Sequence, residues 1–330
     1  MNDPFRTIKV RSPAKLNLTF AIIGSLPNGF HEVETLMQTI DLEDELTFTI
    51  EPSDIASIKL TCEGGIKPVD FPLNDSNLIV KSAQLFMSVL GGAALSIRVR
   101  IKKNIPIAAG MAGGSSNSAS TLVALNHYMN QRFSRAELEA MASHLGSDVP
   151  FCIVGGTQIG RNRGDELAEV RFARKMHFTI VKVREFAIAT PWIYKQYDEF
   201  IAQGGIPRQV SVRDAIAAVQ NNRSELADKS FINVFEPIVY EHYPELREIR
   251  SHLFRLGAEA CIMTGSGPTL VALSDSINAA ESIRHEILVA AAERRNLWNS
   301  SRKLTLDVWT AESLEHGAKI VDVAPDSVPS

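Results

Sequence analysis

The chain has 330 residues, 45% hydrophobic and 22% charged, which excludes a disordered or fibrous protein and leaves room for two domains of ordinary size. A net charge of -4 argues against a nucleic-acid partner, which is met by a basic excess or stripe. Cys62, Cys152 and Cys261 lie too far apart for a disulfide framework or zinc cluster, and no apolar run reaches membrane-spanning length, so a cytoplasmic setting away from membranes is expected.

In chain order, residues 8–10 and 16–23 alternate as strands, and Leu26-Pro-Asn-Gly29 closes the second with a turn. Strand-like runs follow at 35–40, 46–50 and 58–62. Helical spacing over 78–90 places Leu78, Ala83, Leu85, Phe86 and Val89 in the core. Residues 95–101 alternate against Ser96, Arg98 and Arg100 as a half-buried strand. A glycine-rich loop then leads into a helix over 115–129, and Ser134-Arg-Ala-Glu137 has the form of a capping box. A second unit begins near Met176, with a strand at 177–183 and helices through much of 190–256. A hairpin over 261–273, broken by Gly265-Ser-Gly267, a helix at 276–294 and a strand at 304–309 complete it. Strand, helix, hairpin, helix, strand is the split-βαβ, ferredoxin-like order, so the fold class is α+β and not a doubly wound sheet. The expected division is 1–175 for an N-terminal domain, 176–310 for a C-terminal ferredoxin-like domain and 311–330 for a flexible polar tail.

The loop from Ile105 to Asn117 carries Gly110, Gly113 and Gly114, which permit close backbone approach, and Ser115, Ser116 and Asn117 at the helix start. Helix N-termini offer unpaired N–H groups and positive partial charge, which suits phosphate. A capped helix after a flexible turn reads equally well from composition alone. No Gly-Lys-Ser/Thr follows, so it is not a Walker loop, and GxGxxG spacing is absent.

Several stretches in order resemble the GHMP kinase superfamily. They are Ser12-Pro-Ala-Lys-Leu-Asn-Leu18, Pro27-Asn-Gly-Phe-His-Glu32, Asn77-Leu-Ile-Val80, Gly113-Gly-Ser-Ser-Asn117, Gly146-Ser-Asp-Val-Pro150, Asn233-Val-Phe-Glu236 and Thr264-Gly-Ser-Gly267. The resemblance spans about residues 8–275. It implies a two-domain kinase with an N-terminal half like domain 2 of ribosomal protein S5. The Gly-Phe-His-Glu turn, with Phe30 in place of tyrosine, points to the branch that phosphorylates a cytidine diphosphate-linked polyol for isoprenoid synthesis. Ala108, Ala109 and Ala112 stand where that family often has glycine.

By the same resemblance, ATP with Mg2+ is the phosphoryl donor. Pro106, Ala109, Gly110, Gly113, Gly114, Ser115, Ser116 and Asn117 would hold its phosphates, with Asn77, Leu78 and Lys103 on the nucleoside side. Asp148 would accept the proton of the acceptor hydroxyl and Lys15 would hold that carboxylate in register. Asn17 and His31 would meet the substrate, with Phe30 and Tyr194 stacked on the pyrimidine. No protein metal site is implied. Other readings remain: Asp148, two residues before Pro150, suits a helix N-cap; Lys15 suits a solvated strand; Gly265–Gly267 suits a plain hairpin turn. A sister kinase acting on homoserine, mevalonate or a sugar would share the loops, and a non-catalytic RNA-binding module is the third possibility.

Overall fold

The computed structural model describes residues 6–63, 71–92, 94–221, 224–293 and 304–324. Two long strands replace the four short ones expected at the N-terminus: β1 (Arg6–Ser25) and β2 (His31–Pro52) run antiparallel along nearly their whole length. Register shifts at Pro13/Ala14, Asn17/Thr19 and Ile22/Gly24 mark irregularities that twist β1 and break its alternation. Residues 12–21 of β1 are buried without a polar face. Lys15 and Asn17 must therefore find partners inside the protein.

Strand β3 (Ser57–Glu63) pairs in parallel with β4 (Leu95–Lys102), which joins β2. In β4 every second residue is buried, as its sequence alternation implies. Helices α1 (Leu78–Val89), α2 (Gly113–Tyr128), α3 (Arg135–Ser143) and α4 (Val149–Val154) cover one face of this sheet. Their shared core includes Ile8, Phe48, Ile97, Phe86, Leu122 and Phe151. The Ser134–Glu137 capping box forms as expected at the start of α3. In α1 the buried residues are Ile79, Val80, Ser82, Ala83, Phe86 and Met87, while Val89 is exposed and Leu78 and Leu85 are only half-buried. Ser82 Oγ and Ser118 Oγ hydrogen-bond at 2.7 Å where α1 meets α2.

Strands β5 (Thr157–Arg161) and β6 (Glu166–Val170) extend the sheet from β2. The C-terminal half then supplies β7 (His177–Val183), five helices α5 (Thr190–Ala202), α6 (Val212–Gln220), α7 (Ser224–Ser230), α8 (Glu236–His242) and α9 (Pro244–Arg255), the hairpin β8 (Ala260–Met263) and β9 (Leu270–Ser274), helix α10 (Ile277–Ala292) and β10 (Leu306–Leu314). Their order across the sheet, β10-β7-β9-β8, all antiparallel, is the ferredoxin-like arrangement. The two halves are continuous: Ser313 and Leu314 of β10 pair with Ile40 and Thr39 of β2. A core cluster joins Leu16, Leu36 and Met111 to Phe178, Ile180 and Ile262 across them.

Residues 311–324, expected as a flexible tail, are paired. β10 runs on to Leu314, and β11 (Lys319–Ala324) forms an edge strand on β1. The intervening turn presses on the end of α4, where Ala318 N donates to Cys152 O at 2.8 Å. Residues 325–330 of that expected tail lie outside the described residues.

Gly155, at the C-terminus of α4, has φ 68° and ψ -159°, and an added methyl would lie 1.9 Å from Gly317 N. Both strain and collision follow from any side chain there. Gly155→Ala is therefore expected to lower the unfolding free energy by about 3 kcal/mol or more, measured by urea titration. A loss under about 1 kcal/mol would contradict this close packing.

Candidate active site

The β4–α2 loop is set in place from below by a carboxylate absent from the sequence-based expectations. Asp44 is fully buried and pairs with Lys103 Nζ. It also accepts from Asn104 N at 2.7 Å, Ile105 N at 2.8 Å and Asn117 Nδ2 at 2.8 Å. A buried charge needs this many donors. Lys103 is thus committed to an ion pair beside the helix start, where an added methyl on Gly113 would lie 2.9 Å from its Nζ.

Ser116 and Asn117 turn inward instead of toward a ligand. Ser116 Oγ meets Ser12 Oγ at 2.8 Å, and Asn117 Nδ2 also donates to Ser12 Oγ at 3.0 Å. Asn77 is likewise occupied at both ends: its Oδ1 accepts from Ile79 N at 2.9 Å as the cap of α1, and its Nδ2 donates to Pro72 O at 2.6 Å. The other expected loop residues border a common cleft, Pro106 and Ala109 being themselves buried. A cleft of about 360 Å³ is lined by Leu78, Pro106, Ala109, Gly110, Gly113 and Gly114, with Asn77 and Lys103 at its wall. Ser115, half-buried, follows in the first turn of α2.

The capped-helix reading of this loop does not hold. The residue preceding α2 is Ala112, in the left-handed region at φ 53°, and it gives no side-chain cap. The first-turn N–H groups of a 16-residue helix are thereby left without a side-chain partner at the cleft. Ala108 is also left-handed, at φ 50°, a conformation that strains any residue with a Cβ. Ala108 and Ala112 therefore both occupy backbone that glycine adopts more readily.

Beside the loop, Lys15 N donates to Met111 O at 3.2 Å. Lys15 Nζ donates to Asn17 Oδ1 at 2.7 Å and pairs with Asp148 Oδ1 at 3.2 Å. The Lys15 side chain is 5% exposed and that of Asp148 36%, so the pair joins a buried cation to a solvent-reaching carboxylate. Asp148 precedes α4 but makes no capping hydrogen bond, and its carboxylate turns to Lys15. Asp148 thus holds the N-cap position without capping the helix, and the solvated-lysine reading does not survive this geometry. One turn on, burial and then the Asp148 charge push the Cys152 thiol up, which keeps it protonated.

Asn17 Nδ2 donates to Thr35 Oγ1 at 2.7 Å, and its backbone N donates to Thr264 Oγ1 at 2.8 Å. Thr264 opens the β8–β9 turn, which does more than reverse the chain. A methyl added to Gly110 would lie 2.5 Å from Thr264 O, and one added to Gly265 would lie 2.8 Å from Gly110 O. The two glycine turns meet backbone to backbone.

At the far end, His31 Nε2 is 2.7 Å from Asp198 Oδ1, and its ring lies 4.9 Å from that of Tyr194. Burial, then the Asp148 carboxylate, push the Tyr194 phenol up, so it stays an O–H donor at neutral pH. The ring facing Tyr194 is that of His31, not Phe30. Phe30 is 55% exposed, with the Arg163 guanidinium 5.7 Å over its ring. Among the described residues no group of three or more His, Cys, Asp or Glu side chains is arranged to hold a metal ion, and no helix is long and apolar enough to cross a membrane.

A glycine turn opening on an uncapped helix, with a lysine–aspartate pair beside it, sits in a fold that known families share. The family model described as the GHMP kinases N terminal domain matches residues 77–156, and that described as GHMP kinases C terminal matches residues 213–291. The chain belongs to the GHMP kinases and is a small-molecule kinase. A 4-diphosphocytidyl-2-C-methyl-D-erythritol kinase of Pelotomaculum thermopropionicum is 36% identical over 270 residues, covering 82% of this chain and 90% of that protein. The crystal structure of a 4-(cytidine 5'-diphospho)-2C-methyl-D-erythritol kinase superposes with a TM-score of 0.71 at 24% identity, covering 93% of this chain and 99% of that one. A homoserine kinase from Cytophaga hutchinsonii gives 0.73 at 19% identity, covering 97% and 98%. The fold is therefore common to kinases of different alcohols, and substrate choice must lie in side chains.

Removing the Asp44 carboxylate would leave Lys103 buried and unpaired and release the start of the loop. Asp44→Ala is expected to lose about 3–5 kcal/mol of stability by denaturant titration. A loss below about 1 kcal/mol would show that the carboxylate does not anchor the loop.

Proposed function

We propose that this kinase transfers the γ-phosphoryl group of ATP to the 2-hydroxyl of 4-diphosphocytidyl-2-C-methyl-D-erythritol. The observation that carries the mechanism is the Lys15–Asp148 pair, at 3.2 Å, beside the uncapped start of α2. The substrate is supported by the named relatives and by the cluster of His31, Tyr194 and Asp198.

The site fits a triphosphate. A methyl added to Gly114 would meet only Leu78 Cδ1, at 3.7 Å, so space lies over the first turn of α2, where N–H groups and the helix dipole favour phosphate. ATP, with Mg2+ carried on its phosphates, supplies the phosphoryl group and neutralises its charge. The backbone amides of Gly113, Gly114 and Ser115 bind phosphate oxygens in this reading, and the buried Lys103–Asp44 pair holds the loop in place behind them. Asp148 orients the acceptor hydroxyl and takes its proton. A carboxylate held beside a cation is a weak base, so positioning contributes more than proton abstraction. Lys15, fixed by Asn17 Oδ1, keeps that carboxylate in place.

His31 and Tyr194 form the end that reads the pyrimidine. The imidazole, held by Asp198, presents a hydrogen-bonding edge to the base, and the Tyr194 ring offers a stacking face. Phe30 and its overlying Arg163 form the outer rim. A homoserine or mevalonate kinase would have no base for this cluster to meet.

Asp148→Ala and Lys15→Ala are expected to lower kcat at least about a hundred-fold with the thermal transition retained. Turnover near that of the unmodified enzyme in either variant would remove the assigned mechanism. In a panel of alcohols assayed by ADP release, the cytidylyl polyol is expected to win by a wide margin. His31→Ala should raise its KM about ten-fold while leaving the KM for ATP unchanged. Equal KM values would end the cytidine reading.

A further inference from the structure

The Asn233-Val-Phe-Glu236 stretch takes no part in the reaction as described, yet its two polar side chains are buried and that of Asn233 is committed at both ends. Asn233 has no exposed surface. Its Nδ2 donates to two backbone carbonyls, Met263 O at 2.7 Å and Gly265 O at 2.8 Å, both at the Thr264–Gly267 turn. Its Oδ1 accepts from Phe235 N at 3.0 Å, which fixes the side chain's orientation. The same segment is stitched to β1 on both sides of Asn233: Phe20 N donates to Ile232 O at 2.9 Å, and Val234 N donates to Phe20 O at 3.0 Å. Glu236 adds a second tie, its Oε1 accepting from Met263 N at 2.9 Å.

Asn233 thus joins β1, three residues beyond Asn17, to the turn that abuts Gly110. That turn also receives the Asn17 amide through Thr264 Oγ1. We propose that Asn233 is a positioning residue: it pins the Thr264–Gly267 turn to β1, and the turn in turn fixes the phosphate loop at Gly110 relative to Lys15 and Asn17. The inference rests on the reading of that loop as the phosphate-binding element. A side-chain amide suits the role because one NH2 group donates to two carbonyls while its own oxygen is held, which neither a hydroxyl nor a carboxylate can do.

The consequence is geometric. If the turn is released, both reactants still bind, but the loop and the Lys15–Asp148 pair lose their fixed separation. Misplacement of this kind falls on kcat more than on KM, since an error of about 1 Å costs on the order of a hundred-fold in rate.

The test compares Asn233→Asp and Asn233→Ala in the full chain by two readouts. The first is backbone amide exchange without ligand, read at Asn17, whose amide donates to Thr264 Oγ1, and at Lys15, whose amide donates to Met111 O. Both variants should exchange faster at these two amides than the unmodified chain, with α10 unchanged. The second is kinetics with the alcohol that the unmodified enzyme prefers. Here kcat should fall about thirty- to a hundred-fold, with both KM values within about three-fold. Asn233→Asp should recover toward low pH, whereas Asn233→Ala should not. A carboxyl facing two carbonyl oxygens has its pKa raised, and once protonated it regains one donor. Unchanged exchange at Lys15 and Asn17 would overturn the proposal. So would a kcat loss that merely follows the folded fraction, or identical pH profiles for the two variants. If the unmodified chain phosphorylated no alcohol, the kinase reading of the site would fail, while the exchange measurement would still decide whether Asn233 holds the turn.

Discussion

Two lysine side chains, Lys15 and Lys103, are withdrawn from water on either side of one glycine-rich loop, at 5% and 4% exposure. A cation removed from solvent must be met by an anion and by further hydrogen bonds. Lys103 meets a carboxylate that is itself buried and is used entirely for structure. Lys15 meets Asp148, whose carboxylate still reaches solvent. The first pair fixes where the loop begins, and the second fixes what stands opposite its end. Much of the site follows from these two constraints, because Asp44 also gathers the amides of Asn104 and Ile105 and the side chain of Asn117.

The site is assembled from both halves of the chain. β1 is buried over residues 12–21 because helices and the C-terminal half pack on it, and it delivers Lys15 and Asn17 to the interior. The β8–β9 turn comes from the ferredoxin-like half and lies against Gly110 with no room for a side chain on either glycine. The last strand pair returns to the N-terminal half and presses on the end of α4, whose other end begins at Asp148. In the proposed mechanism the glycine loop and the Asp148 carboxylate must keep a fixed separation, and these long-range contacts oppose their drifting apart.

What could be read from the sequence was chemistry carried by neighbouring residues. The glycine run before α2, the Ser134–Glu137 box, the alternation of β4 and the hairpin at Gly265 declare themselves within a few positions. The ferredoxin-like order of the second half followed from element sequence alone. What could not be read depended on distant partners. Asp44 sits in the acidic stretch Asp41-Leu-Glu-Asp-Glu45, which looks like a solvated surface until Lys103 and Asn117 are brought to it. Ser116 and Asn117 looked like ligand groups, but Ser12, on another strand, had already engaged them. On α1, Ala83 and Phe86 are core residues as expected, while Val89 is exposed and Ser82 is buried against Ser118 of α2. The C-terminus looked frayed because its last residues are polar, while the pairing of β11 (Lys319–Ala324) depends on β1, at the other end of the sequence.

The most direct test is a crystal structure of the chain with a non-hydrolysable ATP analogue and the cytidylyl alcohol bound together. The account predicts phosphate oxygens within hydrogen-bond distance of the Gly113, Gly114 and Ser115 amides, with the acceptor hydroxyl between the γ-phosphorus and the Asp148 carboxylate. A triphosphate seated elsewhere on the molecule, or an Asp148 turned away from the hydroxyl while Lys15 contacts neither, would contradict it.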